Sequence, residues 1–489
     1  MLVSDDVVYV ANSFDGFAVY RLEASGELTL TLEKPLEQAV PRCTTIALHA
    51  ASKTLFCGSE RSHEVATYDL SNPEAPVPRE PKALTSPDDL YVRDLHVAGD
   101  LLYLSRFDKG LFVATIGAGG ALTDLRQTPI AGDVRFVRGG EEQLAALTRD
   151  RGLLVLKVTG GEVSEVASLA LDGPPLGLAV DQNQAAVALG SAGVVVVSLD
   201  ESPKIVTEAH PAAMVTSVAL EGSLLAATST SGVFLYGLEE TPPRLAGFMP
   251  ATAIELDATF AGGDLFVSDW WFVERLTVRP EGHVMALDLP RGTHYAPSQE
   301  GGFSLRNPSD LPLKASLSLG KTSLGEITLE PFETSHFVPD PAAVTANLED
   351  NGVSRVYVAV SALETESGPD WEEPAWIERD ERVVSLVPRP ASADPAEGHP
   401  AVGDPFPLLA MSDAQKSTIT LPLPNERFRA IFFSKDCAAI WPELEDAAWL
   451  GRKGMLDDGA TPVFIGNEDL VWDGFLHRWG IEDILSGDS

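Results

Sequence analysis

Residues 142–158, "EQLAALTRDRGLLVLKV", hold an apolar run, a short polar turn closed by glycine, and a second aliphatic run. This reads as two strands joined by a tight turn. The glycine permits the positive φ that such a turn needs, and no apolar face recurs at the 3.6-residue period of a helix. The arrangement returns along the chain. It is found at 5–22 ("DDVVYVANSFDGFAVYRL"), 53–70 ("KTLFCGSERSHEVATYDL"), 100–116 ("DLLYLSRFDKGLFVATI"), 184–199 ("QAAVALGSAGVVVVSL"), 223–238 ("SLLAATSTSGVFLYGL") and 263–278 ("GDLFVSDWWFVERLTV"). Gly110, Gly152, Gly193 and Gly232 follow one another at 42, 41 and 39 residues. Gly16 precedes Gly110 by 94, with Glu64 in the place between them. A further strand precedes each copy, as in "VRDLHVAG" (92–99) or "MVTSVALEG" (214–222), and a looser edge strand follows, as in "PRLAGFMPA" (243–251). Four strands per repeat of about 40 to 47 residues is the spacing of propeller blades. Seven copies predict a seven-bladed β-propeller over residues 1–290, whose closure protects the sheet edges.

The turn–glycine–apolar run, clearest in "KGLFVATI", "RGLLVLKV" and "AGVVVVSL", resembles the LVIVD-repeat propellers of bacterial surface and secreted proteins. The Asp that closes that motif survives in places, as at Asp69 in "VATYDL". The resemblance implies a fold and a binding role, not a reaction.

After "LPRGTHYAPSQE" (289–300) the period ends. Short alternating strands separated by Asn-Pro, Pro-Asp and Asn-Gly turns fill the next ninety residues or so, which predicts a small β-sandwich over 291–390. The stretch "LRNPSDLPLKASLSL…ITLEPFETSHF" resembles immunoglobulin-like modules, which implies a spacer or adhesion unit. Residues 391–407, rich in Pro, Ala and acid, read as an extended linker.

The segment 400–489 resembles a redoxin of the thioredoxin superfamily, with Gly403-Asp404-Pro405 standing where that family opens and the domain itself expected over 408–489. "STITLPL" would be its edge strand, "FRAIFFS" its central strand, and Cys437 would head the helix "AAIWPELEDAAWL". Pro462 would occupy the place of the cis-proline facing the thiol. A cysteine at a helix N-terminus has its pKa lowered by the helix dipole, and Lys435 would add to that. The pattern also departs from the family. Ile440 stands where a resolving cysteine belongs, and Ala430 and Ser434 hold the Pro and Thr positions of a peroxiredoxin-like thiol. Only 25 residues separate Cys437 from Pro462, so an alternative alignment makes "TPVFIG" an earlier strand of a fold left incomplete. On either alignment the domain is eroded.

With 35 basic against 72 acidic residues, the formal net charge is −37. Such a surface repels nucleic acid and anionic lipid, and suits high ionic strength. A divalent cation is the sharper partner, but no calcium loop of alternating Asp/Asn with a closing Glu is found. The nine histidines show no ligand spacing, and no phosphate cradle, nucleophile elbow or dinucleotide fingerprint is present. No cofactor is expected. The hairpin "CTTIALHAASKTLFCGS" (43–59) places Ile46 opposite Cys57 and Leu48 opposite Leu55. Cys43 would then point to the other side of the sheet, so Cys43 and Cys57 read as separate packed thiols. No apolar run is long enough to span a membrane, and the start carries no secretion signal. The start fits a cytoplasmic protein or a mature form that has lost its leader.

The expected protein is therefore multidomain and mainly β: a seven-bladed β-propeller, an Ig-like β-sandwich and a small thioredoxin-like α/β domain. It is expected to be a secreted, periplasmic or cell-surface scaffold that is not an enzyme. The propeller would bind protein or glycan, with Trp270 and Trp271 of "DWWF" as a candidate aromatic edge. The alternative is a single-cysteine thiol reductase or peroxidase using Cys437 and Pro462.

Overall fold

The computed structural model describes the chain outside residues 13–15, 33–42, 60–63, 80–81, 84–91, 212–213, 251–254, 270–271, 279–282, 290–292, 297–302, 350–352, 364–370, 373–382, 389–408, 413–417, 422–427, 433–439, 454–460 and 466–489. Seven antiparallel sheets follow one another in sequence order, each starting with an innermost strand and running outward. The innermost strand of each blade touches the next, and Leu2–Ser4 meets Glu255–Ala261 to close the ring. Each quoted hairpin is the second and third strand of one blade, as in Gln143–Thr148 with Gly152–Thr159 or Gln184–Ala188 with Val194–Ser198.

Five blades have four strands. In the second blade two short strands, Val77–Pro78 and Lys82–Ala83, both pair with Glu64–Asp69. The seventh shows three strands among the described residues, ending at Val273–Thr277.

The hairpin strands are apolar without alternation because each blade is sandwiched between two others. Leu144 and Ala146 pack with Tyr103 and Val113 of the third blade. Their neighbours Ala145 and Leu147 pack with Ala185 and Val187 of the fifth. The turn glycine is fixed by close approach. At Gly152, with φ 78°, a Cβ would lie 2.3 Å from the carbonyl oxygen of Leu169 on the outermost strand. Polar ties join the innermost strands across blades. Buried Asp94 accepts from Val137 N (3.1 Å), Arg138 Nη2 (3.1 Å) and Thr45 Oγ1 (3.3 Å).

The hairpin register in the second blade is as expected, with Ile46 opposite Cys57 and Leu48 opposite Leu55. The separate thiols are not: Cys43 and Cys57 form a disulfide, their Cα atoms 5.6 Å apart. Side alternation holds only inside the ladder Thr45–His49, and Cys43 lies beyond it, where the chain is free to turn back toward Cys57.

The second unit joins a five-stranded mixed sheet to the antiparallel pair Phe303–Arg306 and Thr334–Phe337. They share a core that includes Leu305, Leu317, Val356 and Val384. Leu287 belongs to this core too, so the unit gathers residues from before 291. The Pro-Asp turn opens a short helix, α1 (Pro341–Ala346), capped by Asp340, which accepts from Ala342 N at 3.0 Å.

Farther on, Phe428–Phe432 and Thr461–Ile465 pair in parallel, with the helix α2 (Ile440–Lys453) between them in sequence. This is a β–α–β connection.

Candidate binding face

The innermost strands enclose a channel of about 1060 Å³ whose wall includes Asp94, His96, Arg138, Asp181, Glu221 and Asp257. His96 Nε2 lies 2.7 Å from the carbonyl of Gly139, and burial lowers its pKa to about 4, so it is neutral at physiological pH.

One end of the channel is where the innermost strands begin and the hairpin turns gather. The bridges Phe107↔Val134 and Gly190↔Val215 link two of these turns, in the third and fifth blades, to the next blade's first strand. Helix α2 lies on this end, and Pro442 in its first turn is part of the channel wall.

Polar side chains of α2 also meet the propeller. Asp446 is buried and accepts from Ser191 N at 2.7 Å and Ser191 Oγ at 2.5 Å. Trp449 Nε1 donates to Asp172 at 3.3 Å, and Lys453 Nζ to the same carboxylate at 2.9 Å. Glu445, 2% exposed, faces Arg135 at 3.6 Å.

Arg135 is the second residue of the innermost strand of the fourth blade, Val134–Gly139, and is wholly buried. Its Nε is 2.7 Å from Asp133 Oδ1, and its guanidinium stacks over Phe107 at 4.8 Å. The other oxygen of Asp133 takes Arg149 Nε at 3.0 Å, so one carboxylate fixes two guanidinium groups. Arg93, over the ring of Phe136 at 5.0 Å, also acts on Glu445. Burial nevertheless holds the Glu445 carboxyl above its usual range against the three arginines. Burial raises Asp446 and Glu443 as well, although the Ser191 hydrogen bonds oppose this at Asp446.

Of the sequence candidates, Trp270, Trp271 and Cys437 lie outside the described residues. Phe272, the neighbour of Trp271, is 56% exposed and contributes to the channel wall; its N–H donates to Asp269. Pro462 lies in Thr461–Ile465, opposite Arg429. Among the described residues no three His, Cys, Asp or Glu side chains gather as a metal site, and no helix is long and apolar enough to cross a membrane.

The arginine cluster was not foreseen, because its members come from different blades. Its trace in the sequence is periodic: Val92-Arg93 and Val134-Arg135 stand 42 residues apart, one blade period, at the same place in successive blades.

No family model matches the chain, and no curated protein matches it. Among solved structures it is similar to a protein from Lactobacillus plantarum, with 17% identity and a TM-score of 0.46 over 54% of this chain and 89% of that one. It is similar to the WD40 repeats of RRP9, with 15% identity and a TM-score of 0.46 over 56% and 92%. A third is the WD40 β-propeller domain of Doa1, with 14% identity and a TM-score of 0.44 over 56% and 90%. The propeller assignment rests on the strand order of the seven sheets themselves.

Proposed function

We propose that this is a non-enzymatic scaffold outside the cytoplasm whose propeller receives a protein partner at the channel end that carries α2. The observation behind this reading is α2 itself, a protein helix seated there through Glu445, Asp446, Trp449 and Lys453. The Cys43–Cys57 bond supports an oxidising compartment, because disulfides persist there and not in a reducing cytosol. The LVIVD-type, immunoglobulin-like and redoxin-like assignments enter on their sequence motifs, with the middle unit as a spacer. In the test, Phe272→Ala and Trp271→Ala chains are compared with the unaltered chain for capture of proteins and of arrayed glycans. Loss of protein capture at unchanged melting temperature is expected. Capture of glycans alone would replace the partner class, and capture indifferent to both changes would remove this face from the function.

A second reading keeps Cys437 as a working thiol. It is favoured by the β–α–β connection around α2, which begins three residues after that cysteine. The pH dependence of its alkylation decides: labelling with a midpoint well below the free thiol's value of about 8.5 supports this reading. A thiol that reacts only after unfolding ends it.

A further inference from the structure

The seat of α2 is built by the propeller and is basic in a strongly acidic chain. Three arginines, Arg93, Arg135 and Arg149, and one carboxylate, Asp133, act on Glu445. Of these, Arg135 lies nearest at 3.6 Å, and Arg149 is tied to it through Asp133. Asp133 and Phe107 hold the central guanidinium in place, so the pocket is ordered by propeller residues and not by the helix. Its glycine neighbour is also shaped for an occupant: Gly190 passes under Asp446 so closely that a Cβ there would lie 2.2 Å from the Asp446 carboxylate.

The resident occupant fits only in part. Asp446 makes two short hydrogen bonds to Ser191, whereas neither oxygen of Glu445 receives a hydrogen bond, and its nearest arginine nitrogen stands at 3.6 Å. A buried carboxylate without direct hydrogen bonds carries most of its desolvation cost uncompensated. A better-placed carboxylate would take up two direct, charge-assisted bonds at the same pocket.

We propose that the Arg93–Arg135–Arg149 pocket is a receptor site for an acidic helix of a partner protein, and that α2 is its occupant in cis until such a helix displaces it. The partner chemistry is read from α2: two adjacent acidic residues, as in Glu445-Asp446, and an indole about one turn later, as in Trp449. This rests on the propeller being the binding module and names what it binds.

The test uses a fluorescein-labelled synthetic peptide of residues 438–454 as probe, titrated by polarisation into full-length chains. A tethered helix competes at a high effective concentration, so the unaltered chain should bind the probe weakly. The Glu445→Lys/Asp446→Lys chain, its own helix loosened by like charge against the arginines, should bind the probe at least about tenfold more tightly. Adding Arg149→Gln to that chain should reverse the gain, and a probe carrying the same two lysines should bind neither chain.

Equal binding to the unaltered and loosened chains overturns the proposal. So does hydrogen exchange showing residues 440–453 still protected in the loosened chain, because the pocket would then not be what holds the helix. Equal binding of the lysine probe overturns it as well. If the probe fails while protein capture still depends on Phe272, the scaffold reading stands and the acidic-helix assignment alone falls.

Discussion

At Gly190 a single missing Cβ decides whether propeller and helix can meet. The residue sits at φ 58°, and an added Cβ would also lie 2.7 Å from Pro174 Cγ. Gly190→Ala should cost about 1–2 kcal/mol through its left-handed backbone. It should also lift α2 away, speeding hydrogen exchange at 440–453 about tenfold or more; unchanged exchange there would show that Asp446 is not anchored at this turn. Arg135→Ala is the opposite case, since it leaves Asp133 and Glu445 buried without their central guanidinium. It should cost about 3–5 kcal/mol by chemical unfolding, and a loss below about 1 kcal/mol would mean that water already reaches the pocket. In the sequence, the repeat position of an aromatic pair pointed to Trp270 and Trp271, and the redoxin resemblance to Cys437 and Pro462. The pocket was not legible that way, because an arginine near the start of an innermost strand looks like any charged strand end. Only the superposition of Arg93 on Arg135, one blade apart, marks the place where such strand ends converge.

Helix α2 shows why an element can be foreseen and its role missed. A helix over 438–450 was expected, and Ile440–Lys453 is observed. Acidic residues on a helix usually face solvent, yet Glu445 and Asp446 are buried against the propeller. Their titration gives a signed prediction. Burial raises Glu443, Glu445 and Asp446, so the docked helix binds protons more tightly than the released one. The docking that these groups favour is complete below the ordinary carboxyl values near pH 4, and is lost as pH rises through the raised ones. Facing them are Arg93, Arg135, Arg149 and Asp133 around Glu445, and Ser191 at Asp446; Lys453 pairs with exposed Asp172 at the far end. Exchange at 440–453, corrected for intrinsic rates and referred to Gly152–Thr159, should therefore be slower at about pH 5 than at about pH 8. Asp446→Asn should flatten the dependence, and faster exchange at the lower pH would reverse the sign argued here.

For the whole molecule, the ring was legible because its signal is a repeat. Seven hairpins at one spacing survive any local ambiguity, and blade stacking explains why they look apolar on both faces. What closes a loop within a blade was less legible, since Cys43 lies just outside the ladder whose alternation set the expectation. The bond matters to the ring because Cys43 and Cys57 share a core with Val7, Tyr9 and Val19 of the first blade. It thus fixes the second blade at the joint with its neighbour. Its sequence separation is 14 residues, and closing a loop of that size removes about 3 kcal/mol of unfolded-state entropy. The chain has three cysteines. Denatured without reductant, it should show one titratable thiol, that of Cys437, and reduction should expose all three. Unfolding in guanidinium should shift to lower denaturant by an amount worth about 2–4 kcal/mol on reduction, and equally in the Cys43→Ala/Cys57→Ala chain. Three thiols before reduction, with superimposed unfolding curves, would leave the second blade held by packing alone and would take away the support for an oxidising compartment.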